Sequence, residues 1–171
     1  MVITMTKTRT ENATVGCGVT ARYPSLIVFL ILCFSAATFG RLFPPDSWYA
    51  SLNRPDYAPP NWVFGPVWTV LYLMIAVAGW LVWKSSVSTG KRLTLTMFGI
   101  QLLLNAVWSV IFFGWHQPGW ALLEIGVLWL TIATTILSFK RHSSPAAVLL
   151  FPYLAWVSFA AILNYGFWSL N

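Results

Sequence analysis

Five stretches of this chain, 24–43, 62–83, 93–115, 118–139 and 145–168, are apolar almost without interruption. Each is about 20 residues long, and 20 residues at 1.5 Å rise span the roughly 30 Å hydrocarbon core of a bilayer. Backbone N–H and C=O groups in hydrocarbon must pair internally, which only helices and closed barrels achieve. The runs lack the in–out alternation of barrel strands. The expected fold is therefore all-α: a membrane protein built as a five-transmembrane-helix bundle over residues 23–171. Composition agrees, since 8% of the residues are charged against about 25% in soluble domains. The Thr-rich residues 1–22 contain no apolar core of a signal peptide and read as a disordered polar tail.

A net charge of +6 could in principle mark a nucleic-acid binder, but here the basic residues sort by face. With five spans, Lys7, Arg9, Arg22, Lys84, Lys91, Arg92, Lys140 and Arg141 fall on the amino-terminal face, and only Arg41 and Arg54 on the other. Basic residues collect on the cytoplasmic side of a membrane protein. The expected orientation has a cytoplasmic amino terminus, with no nucleic-acid partner. The expected location is a bacterial inner membrane, with an outer membrane as the alternative. Cys17 lies in the tail and Cys33 inside a span, so no disulfide is expected, and no Cys/His spacing marks a metal site.

The connection between the first two spans, PPDSWYASLNRPDYAPPN, holds five prolines in 18 residues. Proline fixes φ and removes a donor, so this segment is an ordered loop rather than a helix or a limp linker, and long ordered loops are usually functional. By contrast, Trp115-His116-Gln117-Pro118 turns the chain straight back. His116 and His142 sit in short turns at opposite faces; each reads as solvated, with axial ligation of a haem iron as the sharper alternative.

Glu124 is the one acidic residue inside a span. An intramembrane carboxylate costs roughly 2.5–3.5 kcal/mol on insertion scales, so it needs a reason: interfacial duty, pairing with Arg41, or a binding or transport role. Eleven tryptophans also need one. Trp48, Trp62, Trp83, Trp115 and Trp120 fit an interfacial belt. Trp68, Trp108, Trp129 and Trp156 lie too deep for it, and either pack against lipid or wall an internal pocket. Helical spacing puts Gln101, Asn105, Trp108 and Phe112 on one face, Tyr153, Trp156, Ala160 and Asn164 on another, and Trp68 with Tyr72 on a third. Amides facing lipid would be unsatisfied, so these stripes should point inward. The amides either glue helices together or, with their flat neighbours, line a pocket for a planar aromatic ligand.

The segments WYASLNRPDYAPPNWVFGPVWTVLYLMIAVAGW (48–80), QLLLNAVWSVIFFG (101–114) and FPYLAWVSFAAILNYGFW (151–168) resemble the translocator protein family, whose bacterial members are tryptophan-rich sensory proteins. The likeness runs from about residue 24 to 171, with Tyr57 standing where tryptophan is common. It implies a five-helix bundle, usually dimeric, that binds porphyrins, haem included, and benzodiazepine-type ligands, with no obligatory cofactor. Carried over motif by motif, the ligand-binding residues are Tyr49, Trp68, Asn105, Trp108, Trp156 and Ala160 (or Ala161), and the stripe analysis adds Tyr153. The sterol pattern of mammalian relatives is broken here, because Leu163 and Tyr165 are followed by no basic residue, so no sterol partner is expected beyond membrane lipid. The expected function is a receptor or sensor for tetrapyrroles, with ligand transport as its extension. The competing readings are a light-dependent porphyrin-degrading enzyme, for which no acid–base pair or metal site is visible, and an ion-coupled transporter resting on Glu124. Within the first span Ala36 and Gly40 form one small-xxx-small pair that could serve a dimer interface.

Overall fold

Residues 23–40 and 42–171 are described by a computed structural model; the tail with Cys17, and Arg41 with its suggested pairing to Glu124, lie outside the described residues. The order is α1 (Tyr23–Gly40), α2 (Ser47–Ser51), a 3-10 turn (Asn61–Val63) leading into α3 (Phe64–Lys84), α4 (Lys91–Ser109) closed by a π turn (Val110–Gly114), α5 (Pro118–Lys140), α6 (Ser144–Leu149) and α7 (Phe151–Leu170). Among the described residues there is no strand. The fold is an all-α membrane bundle. The helical stretches Asn61–Lys84, Lys91–Gly114, Pro118–Lys140 and Ser144–Leu170 are long and apolar enough to cross a membrane. The 18 residues of α1 give about 27 Å of apolar helix, just under the same thickness.

Local chemistry sets the ends. Pro118 begins α5, where its missing N–H costs nothing, and Lys140 sits in the last turn, where a cation meets the negative end of the helix dipole. Ser143 caps α6 by accepting from the Ala146 N–H. The fifth span is interrupted at Leu150, two residues before Pro152. Proline offers no N–H to the carbonyl four residues back, and α6 ends one residue past that carbonyl, at Leu149. The close of α4 is also irregular: the Trp115 N–H reaches back five residues to Val110 at 2.8 Å, a π turn of the kind found at functional sites.

Around the bundle α1 packs on α3 and α4, α4 on α5, and α5 on α6 and α7, while α6 closes the ring against α3. Beyond α6 the chain in α7 leans chiefly on α5, which leaves room between α7 and α3. The close approach of α1, α3 and α4 depends on Gly79, where a Cβ would lie 2.8 Å from the Phe29 ring and 2.9 Å from Phe98. Gly40 likewise faces Ser109 of α4, and the partly buried Ala36 packs against the core. Cys33 is a buried free thiol.

Candidate functional site

The space enclosed by the ring is a cavity of about 420 Å³, within the range of small-molecule sites. Its walls come from every span, and the loop between α1 and α3 covers its mouth. Tyr49, Trp68, Asn105, Trp108, Trp156 and Ala160 all line it. Tyr153 does not; it stands behind the wall, fully buried, and holds Asn105 in place. The Tyr72 hydroxyl donates to Asn105 Oδ1 at 2.7 Å, and Asn105 Nδ2 donates to the Tyr153 hydroxyl at 3.1 Å. A second amide fixes the mouth-side ring: Trp108 Nε1–H donates to Asn164 Oδ1 at 3.1 Å, while Asn164 Nδ2 donates to the Pro118 carbonyl at 2.7 Å. Trp108 stacks on Phe112, with centroids 5.1 Å apart and planes 22° apart.

Both amides therefore act as glue and as wall at once. Trp68 leans on Tyr72 (5.5 Å) and meets Tyr153 edge-on (6.2 Å), and Trp156 meets Phe64 edge-on (5.8 Å). Unlike Trp108, Trp156 has a buried indole N–H with no hydrogen-bond partner among the described residues. A buried donor left unpaired costs about 1–3 kcal/mol. The Gln101 amide, one turn from Asn105 and fully enclosed, also lacks a partner among the described residues, but it does not reach the cavity. Trp129 faces outward, 36% exposed, its indole N–H bonded to Ser158 Oγ at 2.8 Å; of its two options it takes packing against lipid.

The covering loop is pinned at several points. Asp46 caps α2 by accepting from the Tyr49 N–H at 3.1 Å, and its other oxygen lies 3.1 Å from His116 Nε2. That backbone N–H first, with the His116 ring alongside, holds the Asp46 carboxyl below the usual carboxylate range. His116 itself has a left-handed backbone (φ 55°) and stacks on Trp48 at 4.3 Å. Tyr49 drops from α2 among Phe112, Phe113 and Phe167; burial pushes its phenol up. Arg54 ties the loop to itself through Asn61 and the Pro59 carbonyl. Across the mouth, Tyr57 donates to the Ile162 carbonyl at 3.2 Å, and Asn53 and Asn171 exchange hydrogen bonds. At the opposite end His142 lies 3.2 Å from the Val87 carbonyl through Nδ1 and 3.1 Å from Thr94 through Nε2. Neither histidine is simply solvated.

The same loop, PVW run and α7 stripe fall within residues 28–169, which match the TspO/MBR family model. The chain belongs to the TspO/MBR family. It is 41% identical over 157 residues to the "Tryptophan-rich protein TspO" of Chlorobaculum tepidum, covering 86% of this chain and 96% of that one. It is 37% identical over 145 residues to the "Tryptophan-rich sensory protein" of Cereibacter sphaeroides, covering 85% and 90%. The human "Translocator protein" is 41% identical over 126 residues, 72% of this chain and 75% of that one. Family membership and the apolar helices together make this an integral membrane protein.

For a TspO/MBR member, the α1 contribution to the cavity is what the sequence hides. Phe34, Ala37 and Thr38 line it, yet α1 is apolar on all sides and shows no face. Phe64 was within reach, since it lies one turn before Trp68 and extends the same stripe.

Proposed function

We propose that this chain is a membrane sensor or translocator whose aromatic cavity takes a tetrapyrrole. The observation that carries this reading is the wall itself. Trp68, Trp108 and Trp156 present flat faces and edges to one volume, Asn105 contributes the polar group beside them, and the Trp156 N–H is left without a protein partner. A planar, apolar molecule fits walls of this kind, with Asn105 as its polar neighbour. Stacking on such rings contributes about 0.5–1.5 kcal/mol per pair beyond area burial. The names of the relatives, sensory and translocator proteins, fit a ligand that is recognised and handed on rather than consumed, and benzodiazepine-type molecules fit the same walls. Protoporphyrin added to the reconstituted protein is expected to quench tryptophan fluorescence saturably. Trp68→Phe combined with Trp156→Phe should weaken the affinity about tenfold, roughly 1.4 kcal/mol. Absence of saturable quenching at micromolar porphyrin would remove the reading.

The orientation follows from charge. Lys84, Lys91, Arg92, Lys140 and Arg141 lie at the ends of α3, α4 and α5 away from the covered mouth. The positive-inside rule then puts that end in the cytoplasm of a bacterial inner membrane and the loop outside. An impermeant thiol reagent applied to intact cells should label a cysteine placed at Asp56 and spare one placed at Ser86; the reverse pattern refutes the orientation. A homodimer is part of the proposal on family resemblance.

A further inference from the structure

We propose that Glu124 is an intramembrane proton-binding site, coupled to the charge of the ligand in the cavity. The coupling rests on the tetrapyrrole reading; the proton site does not. Glu124 is the seventh residue of α5, about 9 Å along the helix axis from its start. It shares a helix face with Ala121, Ile125 and Leu128, all buried, and the last two line the cavity. Both carboxyl oxygens are enclosed, and no described residue hydrogen-bonds to either.

A carboxylate in that state has lost its hydration and gained nothing, a loss of several kcal/mol. It needs a positive partner, and the described residues around it offer none. Tyr153 of α7 lies within reach of its charge, and Tyr72 of α3 and Cys33 of α1 act on Tyr153 in turn; each is neutral across the ordinary pH range. The described lysines and arginines sit in the loops and helix ends. A metal ion would find two carboxyl oxygens here and, among the described residues, no group of three or more His, Cys, Asp or Glu to hold it, well short of the six or more oxygens that calcium takes. What neutralises Glu124 is a proton.

The neighbouring network is suited to sense it. One side-chain amide, Asn105, stands between two phenols and offers one acceptor and one donor to them. Tyr72 donates to the acceptor and Tyr153 receives from the donor. The hydroxyl hydrogen of Tyr153 is therefore unspent, on the residue that feels Glu124. An anion entering the cavity across this low-dielectric wall repels an ionised Glu124 and favours its protonated form. By linkage, the bound proton favours the anion to the same degree.

Infrared difference spectroscopy on the ligand-free, liposome-reconstituted full chain tests the proton site. The protonated-carboxyl C=O band should be present near neutral pH, disappear on alkalinisation and be missing from Glu124→Gln. In Glu124→Asp it should persist, shifted. A wild-type spectrum without the band, or one that Glu124→Gln leaves unchanged, overturns the proposal. The second arm measures protoporphyrin affinity over the same pH range. The wild type should lose about tenfold more affinity than Glu124→Gln as pH rises, within the usual range of coupling between sites. Identical pH profiles overturn the coupling. A protein that shows the band and binds no porphyrin keeps the proton site and overturns the tetrapyrrole reading instead.

Discussion

Replacing Asn105 with leucine is expected to lower the melting temperature of the solubilised protein and to remove most of its ligand affinity. Leucine has nearly the same volume but neither a donor nor an acceptor. The Tyr72 and Tyr153 hydroxyls, both bonded to Asn105, would be left facing a methyl group. Tyr153 is fully enclosed, so water cannot replace the lost bond. Each buried polar group left unsatisfied costs about 1–3 kcal/mol, so two of them cost about 2–6 kcal/mol. For a chain of this size that corresponds to roughly 4–24 °C in Tm. The same asymmetry supplies the control. Adding Tyr72→Phe and Tyr153→Phe to Asn105→Leu removes every partner at once, and replacing all partners with apolar groups is nearly neutral. The triple variant should recover most of the lost Tm while still binding ligand poorly, because Asn105 and Tyr72 both line the cavity. If Asn105→Leu melts with the wild type, the network holds nothing in place.

That network also shows how far the sequence can be read. Three stripes at helical spacing carried most of the cavity, because in hydrocarbon an amide has one tolerable direction and takes its helix face with it. Asn105, Trp108, Trp156 and Ala160 followed from that rule, and Tyr49 from family resemblance. Spacing could not tell the layer that lines the cavity from the layer behind it. Tyr153 and Trp156 share a face, yet one supports Asn105 and the other meets the cavity. The depth of Trp129 left two outcomes open, and only its bond to Ser158 selects the outer one. Three backbone departures were also hidden. The five residues of α2 are too few to hold a helix by themselves and depend on the Asp46 cap and on Tyr49 seated among three phenylalanines. The π turn at Val110–Gly114 has no signature in an apolar run. The break at Leu150 is signalled by Pro152, but an apolar window averages over it.

Gly166→Leu is expected to unseat the covering loop while leaving the bundle folded. Gly166 lies on α7 beneath that loop, and a Cβ built there would collide with the Tyr57 hydroxyl and come 2.7 Å from Pro55 Cγ. Something must move. Within α7 the helix is fixed by its packing on α5, whereas Tyr57 is half-exposed and held to α7 by one hydrogen bond to Ile162. The loop is the part that yields. Overpacking of this kind costs typically 1–3 kcal/mol, and here the cost falls on the closed position of the loop rather than on the fold. The latch at Asp46 and His116 and the Asn53–Asn171 clasp would have to hold against it alone. Bound porphyrin should then dissociate about 10–100-fold faster, since each 1.4 kcal/mol is tenfold, and chymotrypsin should cut after Tyr57 well before it cuts the wild type. Gly166→Ala keeps the collision and adds little bulk, so it should fall between the two. A Gly166→Leu protein that releases porphyrin at the wild-type rate and resists chymotrypsin equally would mean that the loop does not gate the cavity. Unchanged porphyrin release with faster cleavage would place ligand exit elsewhere in the bundle.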